Sequence, residues 1–321
     1  MRLNRTGRGR WLRAALVVGA TTAVAAGMLA SPASAKRIDP NTATSSDGSV
    51  GAAVDMAAAS RSVSAYEGTG KRAGNGASRS DNKVKPYGAG AEGDVGAESV
   101  IGPDGRWRVT PTTSFPTRAI AMITLNGSQL CTGWLYGPDV LATAGHCVHT
   151  GGSGGAWRSG TWRIYPGRDG SSSPYGYCTA RSLHSVNGWT QSRDEQYDYG
   201  AIKLNCTIGN TVGWFGFWWQ SASLTGYSTT VSGYPGDKPS GTHWRHVDSV
   251  RVTQARQIFY QNDTFGGQSG SPVYQYRSGC GYCSMGIHAY GLHGSWPHSS
   301  NNHGTRINEP VYNNMLYWRN L

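Results

Sequence analysis

The first 35 residues contain no Asp or Glu, the first 130 contain no Cys, and the later sequence has no long apolar run. Each absence excludes something. The acid-free leader carries Arg2, Arg5, Arg8, Arg10 and Arg13, then apolar Ala14–Ala30, then Ala33-Ser34-Ala35. A basic segment, an apolar segment too short for a membrane span and a small-residue cleavage site read as a secretory signal over residues 1–35. A retained N-terminal anchor is the alternative. Without Cys before Cys131, any disulfide framework lies in the later part of the chain. Six Cys in an exported protein suggest three disulfides, and sequence alone does not choose the pairing. Only Cys280-Gly281-Tyr282-Cys283 has zinc-ribbon spacing, and no second pair accompanies it. No metal and no other cofactor is expected.

Residues 36–98 are poor in aromatics and rich in Ala, Gly and Ser, with eight basic residues balancing eight acidic ones. Such a segment buries little apolar surface and is expected to be disordered or loosely helical. Its position between a signal and a core-forming domain reads as a removable propeptide, with a linker or stalk as the alternative. Residues 99–321 carry 16 basic against 10 acidic residues. That modest excess suits ordinary surface charge as well as attraction of acidic substrates. No nucleic acid partner and no stable membrane association follow from it, and a monomer is expected.

From Ser99 onward, strand-like runs bounded by turn residues recur: 118–125, 139–146, 160–167, 199–205, 229–236, 249–260, 271–276 and 283–291. No βαβ rhythm is present, which excludes a doubly wound sheet and points to antiparallel barrels or a sandwich. Val311, Met315, Leu316 and Trp318 fall at helical spacing and predict one terminal helix. The aromatic run Trp214–Trp219 reads as buried strand residues rather than a carbohydrate platform.

The chemistry lies in three short stretches. Ser269 sits in "TFGGQSGSP" (264–272), where glycines let backbone amides approach a substrate. A serine hydroxyl is a poor nucleophile until a base takes its proton and a third group orients that base. His146 in "LATAGHCVH" (141–149) follows a strand and directly precedes Cys147, so a bridge to Cys131 would fasten its loop. Asp198 in "YDYGAIKL" (197–204) opens a strand, whereas Asp194 and Glu195 lie in the loop-like "SRDEQ". His149 and His184 lack such a frame, and His243 and His246 read as surface polar residues. Gly267 and Ser269 are candidate amide donors to a developing oxyanion.

These three stretches, in this order, resemble the chymotrypsin-like serine proteases. With "SVIGPDGRWRV" (99–109), "SGYPGDK" (232–238), "DTFGGQSGSPV" (263–273) and "GIHAYG" (286–291), the chain is more closely similar to glutamyl endopeptidases secreted by Gram-positive bacteria. The likeness spans about residues 99–321. It implies an all-β fold of two six-stranded antiparallel barrels, a Ser269–His146–Asp198 triad, and cleavage of proteins or peptides after Glu, with Asp slower. It also implies that His288 and Thr264 bind the substrate carboxylate. It implies the disulfides Cys131–Cys147 and Cys280–Cys283, with Cys178 and Cys206 left as the third pair.

Two departures bear on specificity. Asp263 lies where trypsin-like relatives carry the acid that binds Arg or Lys. It is expected to be turned away, since His288 and Thr264 have no role in such a pocket. Gln268 stands where trypsin-type zymogens use an Asp, so that activation switch is missing. Glu98 precedes Ser99, so an enzyme cutting after Glu would release its own domain there, and the freed Ser99 amine would join the pocket. Other P1 preferences, a catalytically silent binding protein on this fold and a metallohydrolase remain as competing readings.

Overall fold

Short β-branched and aromatic runs punctuated by glycine favour pleated, half-buried strands over helices. In the computed structural model, residues 38–51, 61–71, 84–88 and 99–321 are described. The signal segment 1–35 and Glu98 lie outside them. Three short strands come first: β1 (Ala43–Ser45), β2 (Ser62–Val63) and β3 (Trp107–Arg108). Six strands of the first barrel follow: β4 (Ile120–Leu125), β5 (Ser128–Leu135), β6 (Val140–Thr143), β7 (Trp162–Pro166), β8 (Ala180–Val186) and β9 (Gly200–Leu204). They hydrogen-bond in the order β8-β9-β6-β5-β4-β7, and the two ends meet through the bridge Ile164↔Cys178.

After β10 (Gly216–Trp218), the second barrel comprises β11 (Ser228–Gly233), β12 (Trp244–Thr253), β13 (Gln257–Tyr260), β14 (Pro272–Arg277), β15 (Gly281–Tyr290) and β16 (Asn302–Arg306). The path β11-β12-β13-β16-β15-β14 closes because β14 pairs with β11 as well as with β15. The run expected as one strand over 249–260 is two strands with a turn between them.

Among the described residues, four α-helical segments accompany the strands: α1 (Gly145–Val148), α2 (Asn187–Thr190), α3 (Gly209–Val212) and, after the last strand, α4 (Glu309–Asn320). The Asn308 side chain caps α4 by accepting from the Val311 amide at 3.1 Å. Val311, Met315 and Trp318 face inward, one or two turns apart, while Leu316 stays half-exposed. One core cluster lies within each barrel. A third joins Trp134, Tyr136, Phe215, Phe217 and Tyr274 to the inner face of α4. The Trp214–Trp219 run is thus largely core, as its composition suggests.

The described parts of residues 36–98 differ from expectation. They are neither loose nor helical. β1 extends the first barrel's sheet by pairing with β8, β2 pairs with β10, and Tyr66 bridges Trp214. Their side chains still bury little; sheet edges supply backbone partners instead.

Candidate active site

Thr143 ends β6, and the next turn, α1, carries His146. Cys147 is bonded to Cys131 on β5, so both ends of this corner are held. The other two disulfides are Cys178–Cys206 and Cys280–Cys283. Asp198 lies just before β9, which pairs with β6. Its carboxylate accepts two hydrogen bonds from the same residue: the His146 amide donates at 2.7 Å and His146 Nδ1–H at 2.7 Å. Asp198 is fully buried, while the His146 side chain keeps 21% of its exposure. An acceptor-only carboxylate fixes the proton on Nδ1 and turns the Nε2 lone pair outward. Trp189 and Tyr290 flank the ring at 6.3 and 5.9 Å between centroids. Gly145 permits this packing, since a Cβ there would stand 2.8 Å from Asp198 Oδ1.

Ser269 lies in a turn whose shape comes from its backbone. The Gln268 amide donates to the Phe265 carbonyl at 3.0 Å, and the Ser271 amide to the Gln268 carbonyl at 2.8 Å. Gly267 has φ +99°, a conformation other residues rarely adopt, and its carbonyl accepts from Thr132 Oγ1 at 2.8 Å. The turn is tied to the first barrel, because the Ser269 carbonyl accepts from the Thr132 amide at 2.9 Å. That carbonyl also lies 3.8 Å from Cys147 Sγ, next in sequence to His146. The structure thus brings the Ser269 turn to the corner that carries His146.

Behind this turn, His288 on β15 is tied to it twice: the Gly270 amide donates to its carbonyl at 2.7 Å, and its own amide donates to Ser271 at 2.9 Å. Its Nδ1 lies 2.7 Å from the Tyr260 hydroxyl. Thr264 is buried, and its Oγ1 has no hydrogen-bond partner among the described residues. Ser99 lies against this pocket. Its carbonyl accepts from the Thr264 amide at 3.2 Å and from Asn302 Nδ2 at 2.6 Å; its amide donates to Asn302 Oδ1 at 3.2 Å. Asn302 and Tyr260 went unnoticed in the sequence. The only signal was polarity, Asn301-Asn302-His303 at the start of a strand.

Asp263 does turn away. Its buried carboxylate accepts from the Ile101 amide at 2.7 Å and the Gly105 amide at 2.7 Å, and it lies 3.3 Å from His246. The nearby guanidinium of Arg106 is bound by Asp104 and Asp237, which anchors the same segment. Hydrogen bonds from Arg106, partly offset by burial, hold the Asp104 carboxyl well below the usual carboxylate range. One sequence reading is corrected here. His243 is fully buried, not a surface residue: its Nε2 lies 2.6 Å from Ser232 Oγ, and burial pulls its pKa down to about 3. Strand pairing of Ser232 with Arg245 and Gly233 with Trp244 carries His243 inward beside Tyr234.

Residues 84–88 lie on the rim of this region. The Lys85 amide donates to Gly127 at 2.8 Å, and its carbonyl accepts from the Gln129 amide at 3.0 Å. The Tyr87 ring packs on Gly266, two residues before Gln268; a Cβ on that glycine would come within 2.8 Å of it.

A two-barrel body with an Asp–His pair beside a glycine-flanked serine defines a chymotrypsin-like serine protease. A family model described as Trypsin matches residues 108–311. The chain belongs to this family of serine endopeptidases. It is 43% identical over 260 residues to a glutamyl endopeptidase of Bacillus licheniformis, spanning 80% of this chain and 78% of that protein. It is 41% identical over 266 residues to a protein of Bacillus subtilis named extracellular metalloprotease, covering 79% of each. Among solved structures, one described as Glu endopeptidase in complex with MPD superposes with TM-score 0.62 and 31% identity, covering 69% of this chain and all of that one.

Proposed function

We propose that the chain is the exported precursor of a serine endopeptidase that cuts after Glu, and after Asp more slowly. In this reading, residues 1–35 are the signal, 36–98 the propeptide and 99–321 the enzyme. Ser269 Oγ attacks the scissile carbonyl while His146 Nε2 takes its proton, and Asp198 stabilises the imidazolium that forms. The amides of Gly267 and Ser269 donate to the oxyanion of the tetrahedral intermediate. His146 then returns the proton to the leaving amine. A water, activated by the same imidazole, hydrolyses the acyl-enzyme.

The observation that carries the Glu preference is a buried Thr264 hydroxyl with no hydrogen-bond partner among the described residues, together with His288 behind the Ser269 turn, while the competing acid Asp263 is consumed by Ile101 and Gly105. A buried carboxylate needs donors. A Tyr260 hydroxyl donating to His288 Nδ1 leaves Nε2–H as such a donor, and Thr264 Oγ1–H supplies a second. Cleavage between Glu98 and Ser99 would create an ammonium held by Asn302, adding positive charge beside Thr264. The names of the similar glutamyl endopeptidases support the same preference. The rim segment around Tyr87 supports a propeptide that hinders access until it is removed. Export fits the leader and the extracellular relative.

The test is a panel of peptides differing only at P1 (Glu, Asp, Arg, Phe, Ala), cleaved by the processed enzyme and by His288→Ala. Glu is expected to lead the panel, and His288→Ala to lower kcat/KM for Glu selectively. An equal loss for every P1 residue would remove the pocket assignment.

A further inference from the structure

Four side chains with no part in the proposed chemistry converge next to it. Glu195 opens the turn that leads into Asp198. His293 and His298 come from the loop after β15, and His303 from β16. One ligand-capable atom from each lies within 4.8 Å of those of the other three. The Glu195 carboxylate already stands between two imidazoles, Oε2 3.1 Å from His293 Nε2 and Oε1 3.0 Å from His298 Nε2. The His298 contact lacks hydrogen-bond alignment despite its short distance.

His303 is the telling member. It is fully buried, and among the described residues neither ring nitrogen makes a well-aligned hydrogen bond, the Asn301 backbone being a weak polar neighbour. Buried polar groups are almost always satisfied, so two such nitrogens on one ring need a reason. The ring is fixed between Phe259 and Tyr290, stacked at 5.0 and 5.2 Å.

We propose that Glu195, His293, His298 and His303 form a binding site for a zinc-class transition-metal ion. Three imidazoles and one carboxylate match the ligand preference of zinc and its cobalt substitute; calcium and magnesium prefer all-oxygen sets. Four protein ligands would close the shell, so the ion would be structural. It would fasten the loop after β15 and the start of β16 to the turn before Asp198. Tyr290, whose ring lies against both His303 and His146, is the physical link to the proposed base.

The test uses the untagged full chain carrying Ser269→Ala to prevent self-cleavage. Zn²⁺ and Co²⁺ are titrated by calorimetry, with Tm and the visible spectrum of the cobalt form as second readouts. The cysteines are all in disulfides, so no described thiol competes. One ion per chain is expected, with a raised Tm, a tetrahedral-type cobalt spectrum and much weaker binding of Ca²⁺ and Mg²⁺. His293→Gln, at a partly exposed position, and His303→Phe, which preserves the aromatic stack, should each weaken Zn²⁺ binding by at least about 10–100-fold. Absence of stoichiometric Zn²⁺ binding, unchanged affinity in folded His293→Gln, or equal binding of Ca²⁺ would each overturn the proposal.

Discussion

The two barrels hold their functional groups by different means. In the first, a covalent bridge and one carboxylate do the work: Cys147 is bonded to Cys131, and Asp198 takes both the amide and Nδ1–H of His146. In the second, the Ser269 turn relies on backbone hydrogen bonds and two positive-φ glycines, Gly267 and Gly270, and the pocket is completed from outside. Ser99 meets Thr264 and Asn302, and the amides of Ile101 and Gly105 satisfy Asp263. His146, the proposed base, is therefore positioned by groups of its own barrel. The proposed specificity pocket depends on a segment that precedes both barrels, so the proposed cleavage there would act on the pocket and leave the contacts of His146 in place.

The sharpest way to break this contrast is Asp198→Asn. Asn has one acceptor oxygen for two donors, and its NH₂ facing Nδ1 selects the wrong imidazole tautomer. We expect kcat to fall by about 10⁴, with folding retained. A variant that folds and keeps kcat within tenfold of wild type would show that the carboxylate does not orient the base. Next in size is the bridge. Replacing Cys131 and Cys147 with Ala releases a 16-residue separation and should cost about 3 kcal/mol of unfolding free energy, with a loss of kcat. The same change at Cys280 and Cys283, separated by 3 residues, should cost about 2 kcal/mol and leave kcat intact. Equal effects on kcat, read by single-turnover kinetics after chemical denaturation curves, would erase the distinction between the barrels.

What could be seen in the sequence follows the same division. His146, Asp198 and Ser269 each sit in a short stretch whose neighbours mark them, so local chemistry singled them out as the proposed triad, and the structure pairs the first two. Alternation made short antiparallel strands legible, and helical spacing made α4 legible. Barrel against sandwich stayed open on pattern alone; two closed barrels came from the family resemblance. β16 (Asn302–Arg306), a short polar run, gave no strand signal. Asn302 and Tyr260 were not legible, because they meet only through the register of β13 against β16, which pairs those two residues directly. β1 and β2 were invisible for another reason. "ATS" and "SV" carry no alternating pattern, and only an available sheet edge makes them strands. His243 looked like a surface residue beside Arg245 and Asp248, since nothing local announces that Ser232 and Tyr234 enclose it.

The smallest effect concerns acid, and it separates the barrels once more. His184 on β8 has its pKa lowered to about 4 and His243 to about 3, in both cases chiefly by burial. In the unfolded chain each titrates near its ordinary value of about 6.5. Between that value and the folded one, the unfolded state binds more protons, so stability falls as pH drops below about 6.5, by up to about 1.4 kcal/mol per pH unit for each histidine. The two should respond differently to processing. His184 is closed off partly by the N-terminal segment: its Nδ1 lies 2.9 Å from Ser45 Oγ on β1. His243 is enclosed by residues that remain after processing, Ser232, Tyr234 and Val109, whose amide donates to its carbonyl at 2.8 Å. Removing residues 1–98 should therefore hydrate His184, return its pKa toward the ordinary value and flatten the acid limb of the stability curve, while the contribution of His243 persists. Denaturation curves from pH 7 to pH 4.5 on the Ser269→Ala precursor and on the processed form would read this. The processed form should have the shallower slope, and His184→Asn should flatten the precursor but barely change the processed enzyme. An identical slope in both forms would mean that β1 does not control the hydration of the first barrel's histidine.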